Sequence, residues 1–191
     1  ALIQADWEVW AIARTPGDLQ TLTPHVLQAD VSRASAVQQA VLAVGETGAQ
    51  VDLWAYAVGD IEAISVAEMQ LETWQRILDA NLRGAYLTTH YSLPLLTANA
   101  HLFYLGAVSE RMRLPRLSAY AAAKAGLEAF AESLRKEQRK RRVTVVRPGA
   151  VETPFWDKVP FNLPPHAPPP ESVAKAILNA YGERHKGPLD L

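Results

Sequence analysis

A tyrosine and a lysine four residues apart, Tyr120 and Lys124, stand in the run Ser118-Ala119-Tyr120-Ala121-Ala122-Ala123-Lys124-Ala125-Gly126. Alanine is the strongest helix former, so the run predicts a helix, and residues at i and i+4 share one helix face. Free phenols titrate near about 10 and free lysine ammoniums near about 10.4. An adjacent ammonium favours the phenolate and makes the phenol a usable acid at neutral pH. Tyr120 is therefore a candidate proton donor, with Lys124 tuning it. The Ala and Gly residues around the pair remove side-chain bulk, which suits a face that meets a ligand or another helix. By itself the spacing is common on surface helices, and its meaning depends on the elements that position it.

Those elements alternate. Apolar runs predict strands at Glu8–Ala13 ending on Arg14, at His25–Ala29 closed by Asp30-Val31-Ser32, and at Val51–Ala57 running into Val58-Gly59. A helix is expected from about Arg33 to Val44. Ser65-Val66-Ala67-Glu68 has the form of a capping box, and a long helix is expected from Leu71 through Asn81 towards Leu93, ended by Pro94. Leu102–Leu105 reads as a buried strand leading to Gly106-Ala107-Val108-Ser109, and Val143–Val146 as another leading to Arg147-Pro148-Gly149-Ala150-Val151-Glu152-Thr153. From Pro154 to Pro170 lie seven prolines with Phe155, Trp156 and Phe161, a composition that fits a lid over an apolar ligand or a stiffened surface loop. A final helix at Glu171–Tyr181 and a short strand at Gly187–Leu191 close the chain. Strand and helix in alternation predict an α/β fold with a parallel sheet and right-handed crossovers.

Composition narrows the partners. The 191 residues are 49% hydrophobic and 20% charged, which suits one globular domain. A formal net charge of -1 gives no field for steering towards nucleic acid or anionic membrane. The basic run Arg135–Arg142 is expected to complement the C-terminal dipole of the Tyr120 helix. No apolar run is long enough for a membrane span and the N-terminus does not read as a secretory signal, so the cytoplasm is the default compartment. Zero cysteines exclude disulfides and thiolate metal sites, and the five histidines show no ligand spacing, so no metal is expected.

Tyr120-x-x-x-Lys124 and the landmarks on either side resemble the short-chain dehydrogenase/reductase family over nearly all of the chain. The resemblance implies a Rossmann-type, doubly wound parallel sheet in three α/β/α layers, and hydride transfer between NADP or NAD and a carbonyl or alcohol. It gives Tyr120 the acid/base role, Lys124 the nicotinamide ribose hydroxyls, and Asn81 the support of a proton-relay water. Asp30 and Val31 resemble the adenine-contacting pair, Ala57 and Gly59 a cofactor-binding strand end, and Pro148, Gly149, Val151 and Thr153 the segment that meets the nicotinamide. Arg14 lies where the adenosine ribose is expected, and a guanidinium suits a 2′-phosphate, which favours NADP. Family members commonly pair through the helices matching Leu71–Leu93 and Ser118–Lys140, so a homodimer or homotetramer is expected.

Two departures stand out. The carbonyl-polarising Ser of the family falls on Ala107, leaving Ser109 as a substitute only if the loop bends differently. A lost donor to a developing oxyanion commonly costs about 100-fold or more in rate, which suggests an alternative as a catalytically weak nucleotide-binding or protein-interaction module. In addition, the sequence begins near the end of the helix that follows the family's first strand and glycine-rich pyrophosphate loop. That strand is central to the sheet, so a gap is expected between the Trp10 and Trp54 strands. Its unpaired backbone groups would cost on the order of 1 to 3 kcal/mol each if buried. Edges that close up, a strand from another chain, or a truncated sequence would each resolve it; truncation is the favoured expectation, with weak dinucleotide binding by these residues alone.

Overall fold

In the computed structural model, which describes residues 1–107 and 114–191, the apolar runs become strands and the amphipathic ones helices. One 3-10 turn, Ile3–Ala5, precedes β1 (Ala11–Ala13), α1 (Leu19–Leu22), β2 (Val26–Gln28), α2 (Ala34–Glu46) and β3 (Val51–Tyr56). Then come α3 (Leu71–Leu78), α4 (Gly84–Ser92), β4 (Leu96–Leu105), α5 (Ser118–Glu137), β5 (Arg142–Arg147), α6 (Pro170–Gly182) and β6 (Leu189–Asp190). All strand pairs are parallel, as an alternating order of strand and helix requires.

The strands β3-β4-β5-β6 form one sheet, with β4 central. Leu102, Phe103 and Tyr104 are fully buried there, which is why this strand reads as a continuous apolar run. The small and apolar stripe Ala119, Ala123, Leu127, Ala131 and Leu134 of α5 packs beneath it. A bidentate ion pair locks that docking: Arg147, at the end of β5, donates to both carboxylate oxygens of Glu128 on α5 at 3.0 and 2.9 Å. Glu128 lies one turn beyond Lys124, so this pair fixes the rotation of the helix that carries Tyr120 and Lys124.

β1 and β2 form a separate two-stranded sheet. The edges of β1 and β3 do not close on one another. Between them lies a cavity of about 680 Å³, lined by Trp10 and Ile12 on one side, Leu53 and Trp54 on the other, and Val41 and Val44 of α2 behind. The interruption falls between the Trp10 and Trp54 strands, where the expected gap lies.

Several boundaries differ from expectation. The Ser65 hydroxyl donates to Glu68 at 2.7 Å, yet the helix begins at Leu71, so this exchange closes an isolated turn and caps no helix. The long helix is interrupted: Asp79–Arg83 winds as a π-helical turn between α3 and α4. β4 starts at Leu96, well before Leu102, and its register against β3 shifts between the pairs Val51–Leu96 and Leu53–His101. The basic run does more than meet a helix dipole, because Arg141 donates to the carbonyls of Leu93, Leu96 and Thr97 and ties the start of β4 to the turn before β5. Among the described residues no helix is long and apolar enough to cross a membrane.

The divided sheet makes a measurable difference in local stability. In hydrogen exchange followed by mass spectrometry, the amides of Ala11–Ala13 are expected to exchange at least about tenfold faster than those of Leu102–Leu105. Equal protection would show that β1 is held as firmly as the central strand.

Candidate active site

The π-helical turn exists because three close approaches surround it. Tyr56, the last residue of β3, donates its hydroxyl to the Ala80 carbonyl at 2.7 Å, and a Cβ at Gly84 would overlap that hydroxyl. On the other side, a Cβ at Gly126 of α5 would lie 2.9 Å from Leu82 Cδ2. The two glycines thus let β3 and α5 press on the turn from both sides. Single π turns are frequent at functional sites, and this one sets the direction of Asn81.

Asn81 is fully buried. Its amide nitrogen donates to the Asp60 carbonyl at 2.6 Å and the Ile77 carbonyl at 2.9 Å, joining the helix to the loop after β3. Its carbonyl oxygen Oδ1 has no partner. A Cβ at Gly59 would lie 3.1 Å from that oxygen, 3.8 Å from the Phe155 ring and 3.9 Å from Lys124 Nζ. Gly59 therefore leaves open the space around which Asn81, Lys124 and Phe155 converge.

Lys124 is 4% exposed and donates to the Leu105 carbonyl at 2.6 Å. Burial lowers its pKa to about 8. Tyr120 is one turn away, with Lys124 Nζ 5.7 Å from its ring centre. Burial raises the phenol to about 12, the reverse of the expected shift. The reason is that both groups share one apolar cleft: loss of water penalises phenolate and ammonium alike, and the ammonium is turned to a backbone carbonyl. Tyr120 is thus a neutral phenol, able to give a proton and reluctant to lose it unaided.

Tyr120 and Lys124 open into a cleft of about 840 Å³ beyond the ends of β3, β4 and β5. Ala57 and Gly59, then Pro148, Gly149, Val151 and Thr153, line the same cleft, as does Ala107, which brings no hydroxyl. Ser109 lies outside the described residues. Arg14, Asp30 and Val31 sit apart, at the ends of β1 and β2. Arg14 is exposed, and the Asp30 carboxylate accepts from the Ser32 amide and hydroxyl, which hold its pKa below the usual value with help from Arg14 and Arg33. Val31 is buried and lines the cavity between the sheets.

The proline-rich stretch closes one side of the cleft. A 3-10 helix, Pro154–Lys158, brings Phe155 within 5.8 Å of Tyr120 between ring centres, and Trp156 donates to the Val151 carbonyl at 3.0 Å. Lys158 reaches Asp60 at 2.6 Å, and Asp60 also pairs with Arg76 of α3. Asp60 thus holds this segment through its side chain and Asn81 through its carbonyl. Nothing local in the sequence pairs Lys158 with a residue almost one hundred positions earlier.

Burying an ammonium with a single backbone partner costs stability. Lys124→Met is expected to raise the unfolding free energy at pH 7 by roughly 1 to 3 kcal/mol. The sign follows from the depressed pKa: between about 8 and 10.5 the unfolded chain binds more protons at this position than the folded one, so wild-type stability rises with pH. The advantage of the variant should shrink across that window in denaturant titrations. A Met variant no more stable than wild type at pH 7 would contradict this.

Known proteins share the architecture of this chain. A family model described as Enoyl-(Acyl carrier protein) reductase matches residues 9–166. A 2-dehydro-3-deoxy-L-rhamnonate dehydrogenase (NAD(+)) of Sphingomonas sp. (strain SKA58) is 30% identical over 155 residues, 78% of this chain and 61% of that protein. A sepiapterin reductase of Chlorobaculum tepidum is 25% identical over 182 residues, 88% of this chain and 75% of the relative. The chain thus spans about three fifths of the first relative's length and three quarters of the second's. Serine dehydrogenase from Escherichia coli shares the fold at a TM-score of 0.83 and 21% identity, covering 100% of this chain and 88% of that one. A 3-ketoacyl-(acyl-carrier-protein) reductase from Brucella melitensis, complexed with NADH, does so at 0.83 and 21% over 96% and 86%. With the α/β architecture and a family model over most of its length, the chain belongs to the short-chain dehydrogenase/reductase family.

Proposed function

We propose that this protein is an oxidoreductase that moves hydride between NADP or NAD and a carbonyl or alcohol, with Tyr120 as the acid/base. The observation that carries this reading is the meeting of Tyr120, Lys124 and the unpartnered Asn81 Oδ1 around Gly59, at the strand ends of a parallel sheet. A buried acceptor without a partner costs free energy unless a ligand or water satisfies it, so it marks a place prepared for one.

The nicotinamide half of a dinucleotide fits these residues. Lys124 has donors to spare for ribose hydroxyls, Gly59 leaves the approach clear, and Pro148, Gly149, Val151 and Thr153 form the facing wall. Arg14 and Asp30 stand ready for the adenosine end, where the exposed guanidinium favours a 2′-phosphate and hence NADP. The bound cofactor supplies or accepts the hydride. In reduction the Tyr120 hydroxyl gives its proton to the developing alkoxide, Lys124 stabilises the phenolate left behind, and Asn81 Oδ1 holds a water that returns the proton. The substrate is a small molecule. Homo-oligomer formation through α4 and α5 is supported by Tyr86, which is 48% exposed, lies edge-on to Phe130 and stacks on His90.

A second reading, a weakly catalytic nucleotide-binding or protein-interaction module, draws on Ala107, which puts a methyl group in the cleft at the position of the family's hydroxyl. Kinetics separate the two. Tyr120→Phe should lower kcat by at least about 100-fold with the fold intact. For carbonyl reduction, kcat/KM should fall as pH rises through about 8, where Lys124 loses its charge, while the Tyr120 proton is held to about 12. Unchanged turnover in Tyr120→Phe would remove the phenol from the mechanism and favour the second reading.

A further inference from the structure

Given the cleft as a carbonyl/alcohol site, we infer that it takes an uncharged, bulky apolar compound, an aryl or branched-alkyl ketone or aldehyde or the matching alcohol, with Phe155 packing against its apolar part. A carbonyl oxygen must come within hydrogen-bond reach of the Tyr120 hydroxyl, and the proposed cofactor takes up Ala57, Gly59, Pro148–Val151 and Thr153. The rest of the described lining open to the substituents of the carbonyl is largely apolar, with Ile61, Leu117, Phe155, Val159, Phe161 and Ile177.

Phe155 stands beside Tyr120, its ring centre 5.8 Å from that of Tyr120 at 54°, a tilted arrangement that leaves a flat face beside the reacting position. Trp156, the next residue, is held by its bond to the Val151 carbonyl, so the segment presents Phe155 from a fastened base. The volume of about 840 Å³, which the substrate shares with the nicotinamide half of the cofactor, is in the range of small-molecule sites.

Charge recognition is where the described lining is poorest. Lys124 is its only ionisable group other than the Tyr120 phenol, and its ammonium is bonded to the Leu105 carbonyl at 2.6 Å. The charged side chains of the closing segment do not substitute for it: Lys158 is paired with Asp60, and Asp157 is exposed outside the lining. Among the described lining residues, a substrate carboxylate or phosphate placed against Phe155 and Ile177 meets no cation besides Lys124, and burying a charge unpaired is costly.

The test compares three carbonyls under identical conditions, with the 191-residue chain and saturating NADPH. Benzylacetone is uncharged and bulky; its keto-acid counterpart has a carboxylate in place of the methyl; acetone lacks the bulk. The expected kcat/KM for benzylacetone exceeds those of the other two by at least about 100-fold. Phe155→Ala is expected to raise KM for benzylacetone about tenfold, more than it lowers kcat. A keto acid used as well as benzylacetone would overturn the inferred class and leave the oxidoreductase reading standing. Saturation-transfer NMR provides an arm independent of turnover. Benzylacetone bound by wild type but not by Phe155→Ala, with no reduction of any carbonyl, would uphold the apolar site and overturn the reaction. Neither binding nor turnover would overturn both.

Discussion

Two hydrogen bonds from one buried amide organise this site. Asn81 donates to the carbonyls of Asp60 and Ile77, and in doing so uses both its N–H groups to join the helix after β3 to the loop that follows that strand. Everything catalytic is referred to this junction. The loop carries Gly59, whose missing side chain leaves room for Lys124 and for the free Asn81 oxygen. The π-helical turn that aims Asn81 is held in turn by the Tyr56 hydroxyl and by the fit of Leu82 against Gly126. A regular helix through Asp79–Arg83 would rotate Asn81 away from this space, because a π turn adds a residue to the repeat.

The same junction extends to the closing segment. Asp60 presents its carbonyl to Asn81 and its carboxylate to Lys158 and Arg76, so the position of Phe155 over Tyr120 and the direction of Asn81 share one anchor. From below, the Arg147–Glu128 pair sets the rotation of α5 and so the side from which Tyr120 and Lys124 enter. These ionic contacts stabilise the arrangement against the cost of placing a phenol and an ammonium in an apolar cleft. Function-ready groups are commonly held this way, with stability lost at the site and recovered in its supports.

Much of this was legible from residue types alone. The order of strands and helices followed from apolar periodicity, and Tyr120, Lys124, Ala57, Gly59, Pro148, Gly149, Val151 and Thr153 do line one cleft, because strand ends on one side of a parallel sheet converge. The break between the Trp10 and Trp54 strands was also readable from the order of landmarks. What escaped was set by tertiary fit. Nothing in Asp79–Arg83 announces a π turn, since the glycines that allow it answer to Tyr56 and Leu82. Lys158 and Asp60 are too far apart in sequence for a local signal. The pKa of Tyr120 depends less on the neighbouring ammonium, which the spacing revealed, than on burial, which it did not.

Hydride transfer at the Asn81–Lys124–Tyr120 junction can be traced directly by isotope. The protein would be incubated with benzylacetone and NADPH carrying deuterium on both C4 positions of the nicotinamide, and the alcohol formed examined by mass spectrometry and NMR. The predicted result is one deuterium on the carbinol carbon of wild-type product and no labelled alcohol from Tyr120→Phe over the same interval. Wild-type alcohol without the label, or labelled alcohol formed equally by Tyr120→Phe, would contradict the assignment of this cleft as a hydride-transfer site with a tyrosine acid.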